Sequence, residues 1–77
     1  MAPPKITHKQ ARAARLLLGW RQRDVAEKAS ITTSSVSEAE HGSTTEVVTA
    51  QLRAAYEAAG IEFTNGGQPG VRMRRPE

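Results

Sequence analysis

The sequence predicts a small, mainly α domain: four helices followed by a short pair of β-strands. Three observations lead there. Apolar residues recur at helical spacing through four segments between Thr7 and Ala59. Glycines at 19, 42 and 60, with a turn at Ser30-Ile31, separate those segments. Beyond Gly60 the period changes to alternation, with Ile61 and Phe63, then Val71 and Met73, apolar between polar neighbours.

The elements follow in order. Residues 1–6, with Pro3-Pro4, read as a disordered or extended arm. Thr7 is a suitable N-cap for a first helix that runs to Leu18, with Ala11, Ala14, Leu17 and Leu18 at core spacing. Gly19 ends it. A second helix covers about Gln22 to Ala29, with Val25, Ala26 and Ala29 on one face. Thr32 caps a third, from Thr33 to about Glu40, which Gly42 stops. Ser43-Thr44-Thr45-Glu46 has the form of a capping box opening a fourth helix. That helix reaches Ala59, with Val48, Leu52, Ala55, Tyr56 and Ala59 inward, and Gly60 ends it. Ile61 to Arg75 then holds two short strands around a loop rich in turn formers, Asn65 to Gly70. The expected division is an arm (1–6), a helical domain (7–60) and a β-strand tail (61–75).

Composition narrows the classes of function. A chain of 77 residues makes one domain, and Ala supplies much of its 38% apolar content, so the core is thin. There is no Cys, which excludes a disulfide framework and a thiolate zinc site. His8 and His41 lie in different segments and make no ligand cluster, so neither metal nor cofactor is expected. Association with a second subunit is the remaining route to stability. No apolar run approaches the length of a membrane span and no signal peptide opens the chain, so the cytoplasm is the expected compartment. The net charge is +3, and its distribution is uneven. Lys5, Lys9, Arg12, Arg15, Arg21 and Arg23 occur with no acidic residue among them, and Arg72, Arg74 and Arg75 close the chain. Charge alone fits either a polyanion partner or a solvated basic face. Asn65-Gly66-Gly67 is turn chemistry, since it lacks the strand-to-helix context and Lys of a phosphate loop. With no nucleophile–base pairing either, the sequence does not point to an enzyme.

The informative segment is Gln22 to Val36. Two short helices that cross steeply across a three- or four-residue turn make specific local demands. The first must be small where the second crosses, and Ala26 is. The turn needs a residue that tolerates positive φ, the position of Ser30, then an apolar plug, Ile31. Val25, Ala29, Val36 and Ala39 return both helices to the core. A Ser/Thr-rich linker would not be flanked at these spacings.

Gln22-Arg23-Asp24-Val25-Ala26-Glu27-Lys28-Ala29-Ser30-Ile31, then Val36, Glu40 and Gly42, resemble the Cro/C1-type helix-turn-helix domain. Ala14-Arg15-Leu16-Leu17-Leu18-Gly19-Trp20 is similar to that family's first helix. The resemblance covers about residues 8 to 60. It departs in two places: the family usually has Gly where Ser30 stands, and the strand-like tail replaces the family's fifth helix. The resemblance implies a four-helix domain of this type with a short C-terminal β-strand pair, acting as a bacterial or phage transcriptional regulator on double-stranded DNA. The third helix would lie in the major groove, with Thr33, Ser34, Ser37 and Glu38 towards the bases. Arg21, Gln22, Arg23 and Ser35 would contact phosphate. Arg15 and Glu40 would form an ion pair that belongs to the fold.

Three expectations complete the reading. Trp20 fits an apolar plug between helices better than a base-stacking residue. The family's operators have two half-sites, which calls for a homodimer, and pairing of the C-terminal strands between subunits would bury Ile61, Phe63, Val71 and Met73. On that shared sheet Glu62 and Arg72 would sit across from one another on the outer face, and a hairpin folded back on its own helices is the alternative. The competing function is an antitoxin-like interaction module, whose tail from Ile61 to Arg75 is disordered until a protein partner orders it.

Overall fold

The computed structural model describes residues 6–64 and 69–74. The arm over 1–5, the turn at Asn65-Gly66-Gly67 and Arg75 lie outside them. The elements are α1 (His8–Leu18), α2 (Gln22–Ala29), α3 (Thr33–Glu40), α4 (Glu46–Ala58), β1 (Ile61–Thr64) and β2 (Gly70–Met73). This is the mainly helical architecture expected, with the strand pair at its C-terminal end.

Local chemistry sets the helix boundaries. The Thr7 hydroxyl accepts from Gln10 N at 3.1 Å while Gln10 Oε1 accepts from Thr7 N at 2.8 Å, a reciprocal cap on α1. Thr32 accepts from Ser35 N at 3.0 Å and opens α3. Three helices end in the same way. A left-handed residue (Gly19, Ser30 or Gly42) lets the next N–H reach back across the last turn. The bonds are Trp20 N to Arg15 O (3.1 Å), Ile31 N to Ala26 O (3.0 Å) and Ser43 N to Glu38 O (2.8 Å). The last of these corrects the expected capping box. Ser43 is drawn back to close α3, so α4 starts later, capped by Thr45, which accepts from Val48 N at 3.3 Å.

The core is built from few large residues and many small ones. Val25, Val36, Leu52, Tyr56 and Ile61 are fully buried, with Ala11, Ala14, Ala26, Ala29 and Ala39 between them. The alanines let helices approach closely, and Ala26 lies buried beside the turn that sets α3 across α2. Two expectations are corrected here. Leu17, at core spacing by sequence, is 47% exposed, and the buried residues of α1 are Gln10, Ala11 and Ala14. Ile6, read as part of the arm, is buried in the core.

The strands pair with each other as an antiparallel hairpin, Ile61 opposite Met73 and Phe63 opposite Val71. Ile61, expected at an interface between subunits, is fully buried in the chain's own core. Phe63 and Val71 are half-buried against the same core, and Met73 remains exposed. The physical reason is Gln10. Buried on α1, its amide nitrogen donates to Thr64 O at 3.1 Å and Gly70 O at 3.0 Å, fastening both strands to the helix that also carries the cap. A buried amide is tolerated only when its bonds are made, and here they tie the hairpin to the helices. Glu62 and Arg72 face one another on the outer side and form an ion pair.

Candidate nucleic-acid interface

Val36, Ala39 and Glu40 turn one side of α3 into the core. Helical geometry then puts Ser34 and Glu38, one turn apart, on the opposite side. Both are exposed, as is Thr33, while Ser37 is half-buried on the flank. The expected base-facing residues therefore share one outer surface of α3. Thr33, Ser34 and Ser37 offer hydroxyls, each a donor and an acceptor, and Glu38 offers a carboxylate that only accepts.

The N-terminus of α2 lies beside the C-terminal end of this helix, where Gln22 reaches Glu40. Arg21 and Arg23 are exposed there, and neither has an acidic partner among the described residues. Asp24 Oδ2 accepts from Arg21 N at 2.9 Å, half of a capping box, since a guanidinium has no acceptor to return. Gln22 and Ser35, expected on phosphate, are already engaged. Gln22 Nε2 donates to Glu40 Oε1 at 3.3 Å, and the Ser35 hydroxyl accepts from the Thr32 hydroxyl at 3.0 Å. Both are half-buried. The C-terminal basic cluster is also engaged where it is described: Arg72 pairs with Glu62, and Arg74 donates to Glu57 O at 3.3 Å.

The Arg15–Glu40 pair is present and bidentate. Arg15 Nε lies 2.7 Å from Glu40 Oε2 and Nη2 lies 3.0 Å from Oε1. Arg15 Nη1 also donates to Trp20 O at 3.3 Å, tying the α1–α2 turn to the end of α3. The hydrogen bond to Glu40 holds the Arg15 pKa above its ordinary value, against the opposing effect of burial. This pair, with Gln22 as a third member, sets the pitch of α3 against α1 and α2. Sequence periodicity had no signal for Gln22's part in it, because a polar residue at a helix start reads equally as solvated.

Trp20 is half-buried and stacks on Tyr56 with centroids 6.2 Å apart, and the Lys28 ammonium sits 5.7 Å from its ring centre. It is a packing residue. The Tyr56 hydroxyl is buried without a hydrogen-bond partner among the described residues. Burial, then the Glu40 charge, raise its pKa, while Arg15 opposes them.

No helix among the described residues is long and apolar enough to cross a membrane. No curated protein matches the chain. A family profile described as helix-turn-helix, the Cro/C1 type, matches residues 12–56, more than half of the chain, from the middle of α1 through Tyr56. The crossing at Ala26, the left-handed turn at Ser30 and the exposed polar face of α3 all fall inside that match. The chain belongs to the Cro/C1-type helix-turn-helix family, a family of DNA-binding regulators.

Proposed function

We propose that this chain is a sequence-specific transcriptional regulator that binds, as a homodimer, an operator of two half-sites, with α3 in the major groove. The observation that carries the reading is the outer face of α3. Thr33, Ser34, Ser37 and Glu38 form a polar surface on α3, and the exposed guanidinium groups of Arg21 and Arg23 at the start of α2 have no acidic partner among the described residues. Arg21 and Arg23 anchor the phosphates, and the first turn of α2 adds backbone N–H groups. Gln22 and Ser35 join them through whatever donor capacity their present bonds leave.

The dimer rests on β2. In the antiparallel register the backbone groups of Val71 and Met73 point away from β1, and the Met73 side chain is exposed. An edge of this kind accepts another strand. Selection from a random DNA pool tests the whole reading. It should return a two-fold motif with half-sites about 10 base pairs apart. Ser34→Ala should alter base preference, whereas Arg21→Ala or Arg23→Ala should weaken all sequences alike and reduce the salt slope by about one. Met73→Glu should sediment as a folded monomer. Uniform weakening by the Ser34 variant would displace α3 from the groove, and an unchanged dimer would move the interface elsewhere.

A further inference from the structure

A cleft of about 170 Å³ lies where the start of α1, the end of α3 and the side of α4 meet, and none of Thr33, Ser34, Ser37 and Glu38 lines it. Its inner wall is apolar, made by Ile6, Ala11, Ala39 and Leu52, each more than nine-tenths buried. Its mouth is polar, with His8, Gly42 and Thr44 exposed there. The space exists because small residues face it. Ala11 and Ala39 stop at Cβ, and Gly42, at φ 87° in the turn that closes α3, has no side chain to fill the gap. The His8 ring stands over that glycine, its Nδ1 3.6 Å from where a Cβ would be. Close-packed interiors leave few gaps larger than a water molecule. An apolar cavity of about 150 Å³ accepts benzene, and the cleft here is of that size with one polar side.

The lining selects the chemistry of an occupant. No Lys, Arg, Asp or Glu contributes to it, so an ionised group brought inside would lose its water without gaining a charged partner. At the mouth two groups have hydrogen-bonding capacity to spare. The His8 ring makes no hydrogen bond among the described residues, and the Thr44 hydroxyl makes only a long one, to Thr45 O at 3.4 Å. We propose that this cleft binds a small uncharged amphiphile, a single six-membered ring carrying one hydroxyl group. The ring lies against Ile6, Ala11, Ala39 and Leu52, and the hydroxyl meets His8 or Thr44 at the mouth. The site is separate from the outer face of α3 and does not depend on what that face binds.

Phenol, titrated into the full chain and followed by amide NMR, tests this. It should shift His8, Ala11, Ala39, Gly42 and Thr44 saturably, with a dissociation constant in the millimolar range that about seven heavy atoms allow. Benzoate, similar in size but charged, should bind at least about 10-fold more weakly. Ala39→Val puts two methyl groups into the space and should abolish the phenol shifts. If that variant does not fold, His8→Ala, at an exposed position, serves instead and should weaken phenol about 3-fold or more. Shifts that do not saturate, or that spread evenly over the surface, would overturn the proposal. So would benzoate binding as tightly as phenol, or a folded Ala39→Val chain, or failing that a His8→Ala chain, that binds phenol as the wild type does. No DNA enters these measurements, so their failure leaves the operator reading intact.

Discussion

In Arg15→Ala the Glu40 carboxylate, whose side chain is 4% exposed, loses both guanidinium bonds and keeps only the Gln22 amide at 3.3 Å. A buried charge left without its partner costs about 3–5 kcal/mol. In Glu40→Ala the orphaned group is Arg15, which is 15% exposed, retains its bond to Trp20 O and can swing towards water on a long stem. That loss should be about 1–3 kcal/mol. A chain of 77 residues has a total stability of about 4–12 kcal/mol, so the first substitution removes a large share of it. The Arg15→Ala/Glu40→Ala double variant should cost well under the sum, because each single loss is mostly the penalty of the partner left behind. Arg15→Met with Glu40→Leu, apolar and of similar volume, should recover most of the stability. Urea unfolding at constant slope measures all four. Losses that add within about 0.5 kcal/mol, or a Glu40 variant less stable than the Arg15 variant, would refute the reasoning.

Two further predictions concern the turn and the core. Ser30 sits at φ 59°, a left-handed conformation that costs a non-glycine residue about 1–2 kcal/mol. Ser30→Gly relieves this at some cost in unfolded-chain entropy, so thermal melts should rise by about 2–8 °C, and a lower melting temperature would contradict the cap geometry. Tyr56→Phe removes a buried hydroxyl that has no hydrogen-bond partner among the described residues and should add about 1 kcal/mol at neutral pH. The folded pKa of Tyr56 lies above the ordinary phenol value of about 10. Its contribution is therefore complete below pH 10 and is lost as the pH climbs towards the folded value, by up to about 1.4 kcal/mol per pH unit. The Phe variant should lack that alkaline decline, and an equal decline in both proteins would show that Tyr56 is not its source.

The sequence by itself determined the limits of the first three helices. Thr7, Thr32, Gly19 and Gly42 act through hydrogen bonds and steric limits spanning only a few residues, and those signals are complete in the local chain. The steep α2–α3 crossing was legible for the same reason. Ala26, Ser30 and Ile31 carry its whole geometric requirement, and the face of α3 opposite Val36 follows from helical spacing. What lay against each face was decided by tertiary structure alone. Three hydroxyl residues in a row, Ser43, Thr44 and Thr45, can each cap α4, and the folded chain uses Thr45, which accepts from Val48 N. Gln10 reads as a surface residue until the hairpin arrives with two carbonyls for its amide, whereas Leu17, on the same side two turns on, stays exposed. Whether the strands pair within the chain or across subunits has no local signal, because alternation is the same in both. The hairpin's docking onto α1 and α4 buried Ile61 within the chain, and only the docked positions of residues more than fifty apart in sequence decide such a contact.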